Sequence, residues 1–200
     1  MPDFGPDISL DQPAYIDPSA LMYGKVALAE GASLWPYAVI RAEFFGVEIG
    51  IHSNVQDHCM IHVGEEGSTV IGAHCSITHH CTIHGATIGD NCLIGINATL
   101  MDGVVVGENC IIAGGSFLTA GTVIPENSVV MGVPGKVVRR QNNFVAGRFN
   151  AAIYHFNALA YARGDHRAWA SPEYAEFAEA ERARIEAEFR KLYPDDEPAA

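Results

Sequence analysis

Apolar residues recur every six positions along most of this chain. They start raggedly at Ile16 and Met22 and settle at Leu28, Leu34 and Ile40. They continue at Ile49, Val55 and Ile61, then Ile71, Ile77 and Ile83, then Ile88, Ile94, Leu100, Val106, Ile112, Leu118, Ile124 and Val130. Four residues after nearly all of these stands a small one: Ala32, Ala38, Ser53, Cys59, Cys75, Cys81, Cys92, Ala98, Cys110, Ser116, Thr122 and Ser128. A fixed period held this long is the signature of a solenoid. A large residue at one position and a small one four later suit a narrow tube with tight corners. Glycine often follows the apolar position, as at Gly50, Gly72, Gly89, Gly95 and Gly107, where the backbone must turn. Three units of six make one triangular coil of 18 residues.

This pattern resembles the left-handed parallel β-helix of hexapeptide-repeat proteins. The hand is implied by the resemblance alone, because right-handed crossovers are the general rule. The expected fold is therefore mainly β, a left-handed β-helix with C-terminal α-helices packed on it. Residues 1–15 read as an extended lead-in, 16–140 as the β-helix and 141–200 as a helical segment. An irregular step runs from Glu43 to Val47, and Gly64-Glu65-Glu66-Gly67 is a four-residue insertion of turn composition. Phe149, Ala152, Ile153, Phe156 and Leu159 recur at helical spacing, which predicts a helix from Phe144 to Arg163. Ser171-Pro172-Glu173 starts another, with a cap residue, a proline and an early acid.

The formal charge of −12 argues against nucleic acid or an anionic membrane as partner. There is no apolar run of membrane-spanning length. The start, Met1-Pro2-Asp3-Phe4, lacks the basic and apolar regions of a leader, so a cytoplasmic location is expected. All five cysteines fall in the small slot, with no CxxC, and read as buried free thiols.

Three histidines carry the candidate chemistry. His62 and His84 each follow an apolar position and lie 22 residues apart; removing the four-residue insertion leaves 18, one full coil. They are expected to stack. His79 belongs to the preceding face. A threefold packing of prisms would set His62 and His84 of one chain against His79 of the next. Three neutral imidazoles with an open fourth position make a catalytic zinc site, which yields hydroxide near neutral pH. Against this stands the reading of solvated turn histidines. The other six, His52, His58, His74, His80, His155 and His166, read as ordinary, with His80 the most plausible false ligand.

Arg41-Ala42-Glu43, Asn54-Val55-Gln56-Asp57, His62, His79-His80-Cys81-Thr82-Ile83-His84-Gly85, Ile88-Gly89-Asp90 and Gly132-Val133-Pro134-Gly135-Lys136 together resemble the γ-class carbonic anhydrases. The resemblance spans about residues 14–163 and includes the spacing of Tyr154 and Tyr161. It implies a homotrimer with Zn2+, or alternatively Fe2+ or Co2+, bound by His62, His79 and His84 between adjacent chains. It implies a lyase that hydrates CO2 to bicarbonate. Gln56 would orient the metal-bound hydroxide. Arg41 and Asp57 would form interfacial and bicarbonate contacts, Asn54 would line the pocket, and Tyr154 would project toward the metal. The chain departs from the family in having Ala42-Glu43 for Gly-Asp and Thr78 for Gly. Its acidic proton-shuttle loop is reduced to Glu65-Glu66, with Glu65 the candidate relay.

Three other readings remain at this point. One is a related metal-dependent hydrolase of acyl thioesters. Another is a CoA-dependent acyltransferase, which needs a single general-base histidine and no metal. The last is a scaffold that keeps the metal site as a staple.

Overall fold

The computed structural model describes residues 5–197. Residues 1–4 and 198–200, including the Met1–Phe4 start read above for a leader, lie outside the described residues. The six-residue period becomes a left-handed parallel β-helix of triangular section. One face is an eight-stranded sheet that begins at Tyr15–Ile16 and Ser33–Leu34. It continues through Asn54–Val55, Ser76–Ile77, Leu93–Ile94, Ile111–Ile112 and Ser128–Gly132. A reversed strand, Gly135–Arg140, closes it by antiparallel pairing with Ser128–Gly132. The second face runs through Met60–His62, Thr82–His84, Thr99–Leu100 and Phe117–Leu118. The third runs through Thr69–Ile71, Thr87–Ile88, Val105–Val106 and Val123–Ile124. Two longer strands, Leu21–Leu28 and Val39–Ile49, span the corner between these faces, so the irregular step after Glu43 is a bend within one strand. Within the lead-in, Ile8–Leu10 is already a strand paired with Leu21–Leu28.

The tube is filled by the periodic apolar residues. Ile40, Ile61, Ile77, Ile83, Ile94, Leu100, Ile112 and Leu118 are fully buried. Each such side chain contributes up to about 1.5–3 kcal/mol by leaving water. The five cysteines lie in this core and all are free. Their slot is small because the corner leaves no room for a longer chain.

Four of the other histidines turn out to be corner residues. His52, His58, His74 and His80 all have φ between 54° and 61°. Later coils put Asn91, Asn97, Asn109 and Asn127 in the same left-handed conformation. Asn and His tolerate this region better than most residues. His80, the suspected false ligand, stacks on His58 at 4.9 Å.

One coil is a residue short. Ile83 pairs with Leu100, 17 residues on, while Leu100 pairs with Leu118, 18 on. The missing residue is at the corner after His84. There Gly85 turns with φ 60° and donates its N–H to the His62 carbonyl at 3.1 Å. A Cβ on Gly85 would lie 2.6 Å from the Cα of Gly64.

Two helices complete the chain, α1 (Phe144–Tyr161) and α2 (Pro172–Leu192). Helix α1 packs on the first face, against Tyr15–Ile16, Asn54–Val55, Ser76–Ile77 and Leu93–Ile94. It lies along the left-handed corners: Arg148 donates to Asn91 Oδ1 at 3.2 Å and His155 stacks on His52 at 4.2 Å. Gly147 permits this approach, since a Cβ there would lie 2.0 Å from the Asn91 carbonyl oxygen. Helix α2 starts with Ser171 accepting from the Tyr174 N–H and buries Ile185 and Phe189 against Phe144 and Val145. No helix among the described residues is long and apolar enough to cross a membrane.

Candidate functional site

The coil register brings His62 and His84 together as direct neighbours. His62 Nδ1 lies 3.1 Å from His84 Nε2. Each ring is also held from its other nitrogen. His62 Nε2 is 3.0 Å from Glu43 Oε2, and His84 Nδ1 is 3.0 Å from Asp102 Oδ1. Arg41, beside His62 in the strand register, donates to Glu43. Desolvation pushes the Glu43 carboxyl up, but a backbone hydrogen bond, His62 and Arg41 together hold it below the usual range.

Ionised carboxylates only accept, so Glu43 and Asp102 each take a hydrogen bond from the ring nitrogen they face. The two remaining nitrogens, His62 Nδ1 and His84 Nε2, face each other, and a divalent cation between the rings would be held by both.

His79 lies elsewhere, in the turn beyond Ser76–Ile77. Its Nδ1 is 3.0 Å from Asp57 Oδ2, one coil away. Its side chain is 37% exposed, and among the described residues no hydrogen bond engages Nε2. Beside it is a cleft of about 220 Å³ whose lining includes Asp57, Trp35, Tyr154, Tyr161 and Trp169. Tyr154 thus stands with His79 and not with His62 and His84. Burial and then the Asp57 charge push its hydroxyl up to about 12.

Asn54 and Gln56 are 1% exposed, on the face that α1 covers. Gln56 Nε2 donates to Asn54 Oδ1 at 2.9 Å, and Asn54 Nδ2 donates to Ser76 Oγ at 3.0 Å. Gln56 Oε1 has no hydrogen-bond partner among the described residues. Glu65 sits at the mouth of a groove of about 830 Å³ that passes Gly85, Gly103 and Gly121. Its backbone N–H donates to Asp102 Oδ1 at 3.3 Å, which ties the insertion to His84.

Asp102 and the aromatic walls Trp35 and Trp169 were missed by sequence reasoning. Asp102 had a signal: it occupies the rung next to Gly85 on a corner where a side chain reaches back to the coil before.

A family model for the bacterial transferase hexapeptide (six repeats) matches residues 85–120. The chain is 45% identical over 120 residues to a probable carbonic anhydrase of Methanocaldococcus jannaschii, covering 60% of this chain and 76% of that one. It is 32% identical over 100 residues to gamma carbonic anhydrase 1 of Arabidopsis thaliana, and the match covers 47% of this chain but only 36% of that longer protein. Among solved structures, a hexapeptide transferase family protein of Anaplasma phagocytophilum matches with TM-score 0.69 and 30% identity. The match covers 78% of this chain and 92% of that one. A putative acetyltransferase of Bacillus cereus matches with TM-score 0.64 and 26% identity, over 77% and 96% of the two chains.

These findings correct the expected activity. The expectation of a zinc-dependent carbonic anhydrase, a lyase acting on CO2 at a trimer interface, is overturned by two solved relatives described as transferases. The geometry agrees: among the described residues no group of three or more His, Cys, Asp or Glu is set to hold a metal. Within the chain His62 and His84 meet, while His79, expected from a neighbouring chain, lies apart and pairs through Nδ1 with Asp57. The words carbonic anhydrase, lyase and zinc therefore do not describe the chain's activity. What fold, repeat and relatives share is the architecture, and the chain belongs to the hexapeptide-repeat family of left-handed β-helix proteins.

Proposed function

We propose that this protein is an acyltransferase that moves an acyl group from a coenzyme A thioester to a nucleophilic acceptor, with His79 as general base. The observation that carries the reading is the His79–Asp57 pair at 3.0 Å, with Nε2 free beside a cleft. Asp57 fixes the tautomer in which Nδ1 bears the proton, so Nε2 presents a lone pair. Nε2 takes the proton of the acceptor's hydroxyl or amine as that atom bonds to the thioester carbonyl carbon. The carbon–sulfur bond then breaks and the imidazolium returns the proton to the departing thiolate. A base so placed contributes about 10²–10⁴ in rate. The names of the Anaplasma and Bacillus relatives support transfer chemistry.

The groove along Gly85, Gly103 and Gly121 is wide enough for the donor's extended arm, within the roughly 300–1,000 Å³ of small-molecule sites. A homotrimer would lay this groove of one chain beside the His79 cleft of the next. By ancestry, as distinct from activity, we place the chain nearer the γ-class branch, on the 45% identity to the Methanocaldococcus protein. The test is release of free thiol from acetyl-CoA and longer acyl-CoA with a panel of alcohols and amines, beside calorimetry with coenzyme A. Acceptor-dependent release lost in His79→Ala supports the reading. Neither release nor coenzyme A binding overturns it.

A second proposal follows from the 3.1 Å contact of His62 and His84: the pair binds a divalent cation, Zn2+, Fe2+ or Co2+. The donor set fits, because each facing nitrogen is backed by a carboxylate on the opposite side of its ring. Metal analysis of the purified protein and of His84→Ala checks it, independently of turnover.

A further inference from the structure

We propose that the cleft beside His79 is a binding site for a small organic cation, an alkylated ammonium. As the acyl acceptor this cation rests on the function proposed above; as a ligand it rests on the cleft alone.

The walls are aromatic. Trp35 lies 5.5 Å from Tyr154 and 4.9 Å from Tyr161, and Tyr154 lies 5.2 Å from Trp169. The angles between these rings are 86°, 64° and 90°, so the rings form a corner and not a stack. Both indole N–H groups are committed elsewhere: Trp35 donates to Ser33 Oγ at 3.1 Å and Trp169 to the Ile153 carbonyl at 3.2 Å. Trp35 is buried and backs the wall, and what the exposed Trp169 offers a ligand is therefore π surface. Ring faces carry the negative part of the quadrupole and attract cations.

Charge points the same way. The lining holds one carboxylate, Asp57, the imidazoles of His79 and His166, and neither lysine nor arginine; His79 engages one Asp57 oxygen, Oδ2. The Tyr154 hydroxyl, pushed up to about 12 by burial and by Asp57, stays neutral and feels that negative charge. An anionic ligand would meet Asp57 with no lysine or arginine to offset it, whereas an ammonium meets a carboxylate and aromatic faces together. At about 220 Å³ the cleft is below the roughly 300 Å³ where drug-sized sites begin, which suits a compact headgroup. A hydroxyl or amine on that headgroup's short arm would fall toward His79 Nε2.

The chain has two tryptophans, and both line this cleft, so intrinsic fluorescence reports on it directly. The full chain is titrated with choline, with tetramethylammonium, and with dimethylbutanol, the uncharged isostere of choline. The expected result is a saturable change with both ammonium compounds and binding at least about tenfold weaker for the isostere. Asp57→Asn and Trp169→Leu should each weaken choline by about tenfold. Trp169 is 40% exposed, so its replacement tests the site without opening the core. Equal binding of the isostere overturns the proposal, as does a folded wild-type protein that shows no saturable change. Choline binding with neither thiol release from any acceptor nor coenzyme A binding would sink the acyltransferase reading and leave this one standing. Thiol release to uncharged acceptors without choline binding would do the reverse.

Discussion

His79 and His84 stand five residues apart, and each has its Nδ1 3.0 Å from a carboxylate oxygen. They differ in what reaches the other nitrogen. His84 Nε2 faces His62, which faces Glu43, so every nitrogen of that pair is engaged. His79 Nε2 has no such partner among the described residues, and its ring lines the cleft. The same residue type, set by the same repeat, is closed into a chain of contacts on one side of a corner and borders a cleft on the other. A histidine's chemistry here is decided by its second neighbour, and the hexapeptide register alone does not specify that neighbour.

Replacing His79 by alanine is the largest test of the difference. It should cost about 10²–10⁴ in acyl transfer while leaving thermal stability nearly unchanged, since the side chain is 37% exposed. Initial rates and a melting curve check both halves. On the closed side, Glu43→Gln should weaken cation binding by about 10–100-fold and spare coenzyme A binding, read by calorimetry with each, since Glu43 backs His62 and lies outside the groove. An equal loss of both would merge the two sites.

The third test is a pH experiment on a corner histidine. Burial, and next the Arg148 charge, hold His74 down at about 3. Its folded value lies below its unfolded one, so the unfolded chain binds the proton first. Its contribution is complete above about pH 6.5 and is lost as pH falls from there toward 3. His74→Asn keeps a residue that tolerates φ 55° and removes the titration. The urea midpoint of the variant should fall less between pH 7 and 5, by about 1–2 kcal/mol of protected stability. The smallest effect belongs to His80→Asn, within about 0.5 kcal/mol and without change in turnover, because Asn97 does the same work one coil later. A large loss of activity there would show that a corner histidine had been misassigned.

The fold was legible because the repeat is a physical constraint: one slip moves an apolar residue out of the tube. The stacking of His62 and His84 was legible for the same reason, once the insertion was subtracted. The short coil at Gly85 was not, since the jump from Ile83 to Ile88 looks like noise beside the insertion. The partners Glu43 and Asp102 come from corners, where side chains reach between rungs and the period says nothing about direction. Tyr154 came from the resemblance, pointed at a metal shared by all three histidines; within the chain it stands with His79, because helical spacing gives a face of α1 but not the face of the prism it covers. The resemblance led from motif to activity, and hexapeptide-repeat proteins share motifs across chemistries.

The reversed strand Gly135–Arg140 has a consequence for the molecule's sociability. A stack of parallel rungs ends in a row of unspent backbone donors and acceptors, and any further parallel segment could grow from it as a crystal grows from a step. Turning the last strand back antiparallel exchanges that growing edge for one whose polarity no incoming coil matches. It also plants Lys136, Arg139 and Arg140 on the outermost rung, all exposed. The tube ends in a charged hem, and the same repeat that builds one chain is kept from recruiting the next.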